Sequence, residues 1–203
     1  MLLKKVSDLI ARPLTHILNL SLRDGVFPDS LKVSRTCPIF KSGSKSDVNN
    51  YRPISCLPIV SKIFEKAVYS QLSNFLNINN MLYQNQFGFQ KGKSTLHPLV
   101  NILNYIGNAF NNNKFVVAIF LDFKKAFDMV SHEKLKRLGV TGKNLNWFKS
   151  YLSNRKLSAM VNNCLSSDFA FLSRSVPQGS ILGPLLFLGF INDMPNCIEF
   201  SIC

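Results

Sequence analysis

The sequence predicts an α+β fold, on three observations. Residues 59–76 and 95–110 carry apolar side chains at the 3.6-residue spacing of core-facing helices. The pattern then changes at residues 115–121, a run of seven apolar residues without alternation, which reads as a central strand covered on both faces. Residues 157–162 and 168–174 read as a strand pair around a turn at Asn162-Asn163.

The elements follow in chain order. Residues 2–22 show a helical pattern (Leu3, Val6, Leu9, Ile10, Leu14, Ile17, Leu18) that Pro13 should interrupt. Gly25, Pro28 and Asp29 mark a turn, residues 31–40 a short strand, and residues 41–50 a polar loop. The helix over 59–76 ends in Asn77, Asn79 and Asn80. The helix over 95–110 can be capped by Ser94 or Thr95 and ends at Asn111. A short helix is expected after Ser131 as N-cap, another over 143–152, and a buried helix over 181–191.

Composition narrows the function classes. The longest apolar run, residues 181–191, holds a Pro and two Gly and is too short to span a bilayer; mean hydropathy is +0.10. Asp8 and Arg12 interrupt the N-terminus before any signal-like run, so the chain reads as soluble and intracellular, cytoplasmic or nuclear. Five cysteines, odd in number and with no C-x-x-C spacing, argue against zinc and against a disulfide framework; reduced core thiols are expected. The net charge of +13 and pI near 9.7 suit a polyanion binder, since each neutralised phosphate releases counterions. Residues 32–66 alone hold seven basic residues against two acids.

Chemistry concentrates around Phe120-Leu-Asp-Phe-Lys-Lys-Ala-Phe-Asp128. A buried strand ending in Asp122 would present a carboxylate at the sheet's rim, and hard cations such as Mg²⁺ take oxygen ligands. An Asp closing a strand also serves as a turn or cap residue, and the segment alone does not separate the two.

Its neighbours carry a resemblance. Leu121-Asp-Phe-Lys-Lys-Ala-Phe-Asp128 resembles motif A of the reverse transcriptases of non-LTR, LINE-type, jockey-like retrotransposons. Ser175-Val-Pro-Gln-Gly-Ser-Ile-Leu-Gly-Pro-Leu-Leu-Phe187 resembles their motif B, and Phe190-Ile-Asn-Asp-Met-Pro195 the tail after it. Asn50-Tyr-Arg-Pro-Ile-Ser-Cys-Leu-Pro58 and Gln86-Phe-Gly-Phe-Gln-Lys-Gly-Lys-Ser-Thr95 are similar to two fingers motifs. Gly25-Val-Phe-Pro-Asp-Ser-Leu31 and Pro38-Ile-Phe-Lys-Ser-Gly43 resemble the family's N-terminal extension.

The resemblance implies an RNA-directed DNA polymerase that copies RNA into DNA by two-metal nucleotidyl transfer, with RNA template, DNA primer and deoxynucleoside triphosphates as partners. Asp122 would bind the catalytic Mg²⁺, assisted by the backbone carbonyl of Phe123. Phe127 would be the steric gate against a ribose 2′-hydroxyl; otherwise it is a core residue. Asp128 would be structural. Gln178 and Gly179 would meet the incoming nucleotide and template backbone, where glycine allows close approach; read alone, Pro-Gln-Gly is a turn. Arg52 and Lys91 would contact phosphate, or are simply solvated charges.

Departures from the pattern bear on activity. Gln90 stands where the family has an Arg, and a Gln cannot supply a charged bidentate clamp. Residues 132–138 are about one helical turn shorter than usual, and Ser175 replaces a Gly. The aromatic-Ala-Asp-Asp of motif C and the thumb do not occur within the 203 residues, so the chain alone is expected not to polymerise DNA. The alternative is a catalytically dead relic or a host-retained basic module that binds RNA or DNA. The resemblance implies right-hand fingers and a partial palm, the latter a β-α-β-β-α-β-type sheet with helices on one face. Residues 1–48 would be the N-terminal extension, 49–114 the fingers and 115–203 the palm. Without a motif C hairpin, the strand at 115–121 should show an exposed apolar edge and the chain should be poorly soluble.

Overall fold

The computed structural model describes residues 2–123, 126–130, 132–162, 164–172 and 176–197. It is a mixed α+β fold of seven helices and five strands among those residues.

Helix α1 (Leu2–Lys5) and helix α2 (Ser7–Asp24) divide at Val6; Pro13 lies inside α2 on an exposed stretch and does not break it. The helix stops at Gly25, whose φ of +70 is the left-handed value glycine adopts without a Cβ penalty. The Gly25 N–H donates to the Leu22 carbonyl at 3.3 Å and the Val26 N–H to the Ser21 carbonyl at 3.0 Å, a Schellman closure. That turn drives Phe27 into the core, where it is fully buried and meets Trp147, Tyr151 and Phe64 edge-on at 5.4, 5.1 and 6.3 Å.

Strands β1 (Val33–Phe40) and β2 (Tyr51–Cys56) form an antiparallel hairpin, with Thr36 opposite Ser55 and Cys37 opposite Ile54. Strand β2 is an edge, which is where Pro53 can sit without removing a ladder donor. Pro38 lies beyond Thr36, the last β1 residue paired with β3 (Arg155–Val161), which runs parallel to β1. The short strands β4 (Cys164–Leu165) and β5 (Ala170–Leu172) both pair antiparallel with β3, the first through Met160 and Val161, the second through residues 155–157. The expected turn at Asn162-Asn163 is present in Asn162, with φ +50; Asn163, Ser173 and Arg174 lie outside the described residues.

Helix α3 (Ile59–Ile78) buries Ser61, Phe64, Glu65, Val68, Leu72 and Leu76. Of the apolar stripe in its sequence Phe64, Val68, Leu72 and Leu76 reach the core, while Ile59, Ile63 and Phe75 stay exposed. Helices α5 (His132–Arg137), α6 (Gly142–Leu152) and α7 (Gly183–Ile191) complete the core with Leu135, Trp147, Phe148, Leu185, Leu186 and Leu188. Ser131, the expected N-cap of α5, lies outside the described residues. No described helix is long and apolar enough to cross a membrane.

Four expectations need correction. Residues 115–121 are not a buried central strand: they pair with no strand among the described residues, and Phe115, Val117, Ile119, Phe120 and Leu121 are exposed. An apolar run becomes a strand only when a neighbour takes its N–H and C=O groups, and here none does. The sheet is consequently not a β-α-β-β-α-β arrangement around that run but the order β2-β1-β3-β4, with β5 also on β3. Helix α4 (Leu96–Asn111) forms where expected, yet buries none of its residues, and neither Thr95 nor Ser94 caps it through a side chain; the Ser94 hydroxyl instead lies 3.1 Å from His97 Nδ1. Finally, the thiols of Cys37, Cys56 and Cys164 are free, but half-buried or exposed and not packed in the core.

Candidate active site

Through its backbone, the segment 176–183 contacts Ser55, Glu65 and Phe127, far earlier in the chain. The Ser180 N–H donates to the Pro177 carbonyl at 3.0 Å, closing a turn whose third residue, Gly179, has φ +107. A Cβ added at Gly179 would lie 2.8 Å from the Ser55 carbonyl oxygen, so only glycine allows this approach to β2. The Ser55 N–H in turn donates to the Gln178 carbonyl at 2.7 Å. The turn thereby covers part of the free edge of β2, the strand that carries Arg52 three residues earlier. Beyond the turn, the Ser180 hydroxyl accepts the N–H of Gly183, the first residue of α7, at 3.0 Å.

The 3₁₀ segment Ala126–Met129 also meets this turn. The Val176 N–H donates to the Phe127 carbonyl at 3.3 Å. The Phe127 ring is half-buried, 5.4 Å from the Phe187 ring of α7 and 6.4 Å from that of Phe89. Phe89 itself holds φ +60, a conformation that costs a bulky residue about 1 kcal/mol or more. Three aromatic rings from separate segments thus converge, and the sequence-predicted Phe127 and Gln178-Gly179 share one neighbourhood.

The other predicted residues lie at the surface. Asp122 is an exposed carboxylate at the end of the extended run, and Phe123 beside it is exposed as well. Neither Asp122 nor Lys91 makes a side-chain hydrogen bond among the described residues. Lys91 is exposed in a turn, while its neighbour Lys93 fixes that loop by donating to the Gln84 and Gln86 carbonyls at 2.9 and 2.8 Å. Gln90, in the place of the expected Arg, points a buried Nε2 at no partner among the described residues. Arg52 is exposed on β2. The side chain of Asp128, and Ser175 as a whole, lie outside the described residues.

As a cation site the described residues offer one carboxylate of the right kind, Asp122. Asp122 offers accessible hard oxygen, the donor type Mg²⁺ takes. No group of three or more His, Cys, Asp or Glu gathers among the described residues.

Sequence reasoning passed over Ser55, Phe89 and Glu65. Glu65 is fully buried; Oε2 accepts the Ile181 N–H at 2.7 Å and Oε1 the Ser61 hydroxyl at 3.2 Å. Its signal was in plain view, a charged residue inside the apolar stripe of α3. Close by, Arg155 is also fully buried and donates through Nη1 to the Tyr151 carbonyl at 2.8 Å. Burial pulls the Arg155 guanidinium below its ordinary value, opposed by Tyr151 and Glu65. Burial, then the Glu65 charge, pushes the Tyr151 phenol well above its own.

Residues 41–201 match the family described as reverse transcriptase (RNA-dependent DNA polymerase). The chain is 34% identical over 187 residues to a probable RNA-directed DNA polymerase from transposon BS of Drosophila melanogaster, covering 90% of this chain and 20% of that protein. It is 35% identical over 188 residues to the RNA-directed DNA polymerase from mobile element jockey of the same species, with the same coverage. A probable RNA-directed DNA polymerase from transposon X-element, also of Drosophila melanogaster, is 31% identical over 187 residues, again covering 90% and 20%. The chain therefore spans about a fifth of the length of these relatives.

Proposed function

Because the chain belongs to the reverse transcriptase family, in the form found in jockey-like non-LTR retrotransposons, we propose that it supplies the fingers and the first part of the palm to an RNA-directed DNA polymerase. Residues 1–48 would extend the fingers, 49–114 form them, and 115–203 begin the palm. The partners would be an RNA template, a DNA primer and deoxynucleoside triphosphates.

The observation that carries this reading is the seating of the 177–180 turn on β2 beside Phe127. A turn held by backbone contacts on both sides can offer the exposed Gly179 backbone and the half-buried Gln178 to a nucleotide without reorganising. Phe127, wedged between Phe89 and Phe187, has a ring whose position its neighbours limit, as a steric gate against a 2′-hydroxyl requires. Exposed Arg52 and Lys91 would contact phosphates, which the net charge of +13 favours. Asp122 would hold Mg²⁺ with help from the Phe123 carbonyl. When bound, the metal would activate the attacking 3′-hydroxyl and stabilise the leaving oxygen.

The net charge of +13 supports a second reading, a non-catalytic module that binds RNA or DNA through its basic surface. The readings part on nucleotide selectivity. The purified chain is titrated with a labelled RNA–DNA primer–template, with dUTP or UTP in competition, and compared with Phe127→Ala. The polymerase reading expects dUTP to bind several-fold more tightly than UTP to the complex, and the preference to vanish in Phe127→Ala. Hybrid binding with no sugar preference leaves only the second reading; no hybrid binding at low salt removes both.

A further inference from the structure

A buried carboxylate is strongly unfavourable unless its oxygens accept hydrogen bonds or face positive charge. Glu65 meets that condition in an unusual place. Its helix, α3, follows directly from β2, yet the donor it holds, the Ile181 N–H at 2.7 Å, is 116 residues away. Ile181 leaves the 177–180 turn at the side opposite Gln178. Gln178 is held to the preceding strand by Ser55 at 2.7 Å, and Ser180 closes onto Gly183 at 3.0 Å. Both clamps on the turn therefore originate in one β2–α3 unit, Ser55 at its front and Glu65 at its back. The buried guanidinium of Arg155, with Nε and Nη2 lacking partners among the described residues, supplies positive charge in the same interior. The second Glu65 oxygen accepts the Ser61 hydroxyl at 3.2 Å, and the Tyr151 phenol faces the same carboxylate.

We propose that Glu65 is a positioning residue for the nucleotide-facing turn: by accepting the Ile181 N–H it fixes where Gln178 and Gly179 stand relative to β2. The proposal rests on the reading of Gln178 and Gly179 as nucleotide contacts. It adds that their pose is set from α3. Glu65→Gln keeps an acceptor at this position. Glu65→Leu keeps the volume and removes it.

The test is residue-resolved amide exchange on the 203-residue chain, joined to dTTP binding in the presence of primer–template. In Glu65→Leu the Ile181 and Ser55 amides are expected to exchange about tenfold faster, the loss of roughly one hydrogen bond's protection. The β1–β3 ladder should keep its protection, dTTP binding should weaken, and Glu65→Gln should recover both. If Glu65→Leu does not fold, Glu65→Asp, which draws the carboxylate back by one methylene, is read the same way. Unchanged Ile181 and Ser55 exchange, or a uniform rise across the chain, overturns the proposal. Selective exchange changes in a chain that binds no dTTP would leave the clamp standing and remove the nucleotide reading.

Discussion

At position 179 two penalties fall on any side chain. The φ of +107 disfavours L-residues, and the Ser55 carbonyl oxygen would sit 2.8 Å from a new Cβ. Gly92 bears only the first, with φ +78 and nothing within 4 Å. Gly92→Ala is therefore expected to cost about 1 kcal/mol, while Gly179→Ala should cost about 2–4 kcal/mol, since backbone strain and displacement of β2 add. Urea denaturation midpoints check the order. Equal costs would mean the turn is not pressed against Ser55 in solution. The contrast also marks what one residue can disclose. Glycine in Pro-Gln-Gly was legible as a turn former, but the oxygen it makes room for belongs to a strand more than a hundred residues earlier. Phe89 escaped notice for the same reason, while Glu65 showed its burial in the α3 stripe but not its partner, Ile181, 116 residues away.

Between elements, the link from α5 to the end of α7 is electrostatic. Lys134 and Arg137 both reach Asp193, and the Lys134 hydrogen bond holds the Asp193 carboxyl below its ordinary value. A carboxyl lowered in the folded state stabilises above its unfolded pKa, and the contribution disappears as pH falls through the lowered value. Asp193→Asn is thus expected to cost about 1 kcal/mol or less near neutrality and nothing in strong acid. Melting temperatures measured from pH 7 down to pH 2 should converge for the two proteins; a constant gap would assign the loss to packing.

The helices themselves were readable, because the 3.6-residue stripe in 59–76 and the apolar stretch 181–191 depend on local pattern alone. Strand β2 was not, since Arg52-Pro53 resembles a loop and a Pro in a strand is tolerated only at an edge, which is a property of the sheet. Residues 115–121 misled in the opposite sense. Their composition promised a buried strand, and burial needs a neighbour that composition does not provide.

For the whole molecule, that run and the apolar side of α4 leave Leu99, Leu103, Phe115, Val117, Ile119 and Phe120 in solvent. Such surface invites edge-to-edge pairing between copies. Sedimentation should show self-association that rises with concentration. A Val117→Lys, Ile119→Lys double substitution should reduce it without lowering the melting temperature, since neither side chain is packed. A monomer at all concentrations before substitution would contradict this. The parallel register of β1 with β3 has a kinetic consequence. Ser34 bonds to the Lys156 carbonyl across 122 residues, and the Trp147 indole reaches the Ser21 hydroxyl across 126. Contacts of such span close late, because the intervening loop must lose its freedom first. During synthesis, the hairpin can zip as soon as it leaves the ribosome. It must then wait with one flank bare until β3 emerges, the interval in which a chaperone would have most to do.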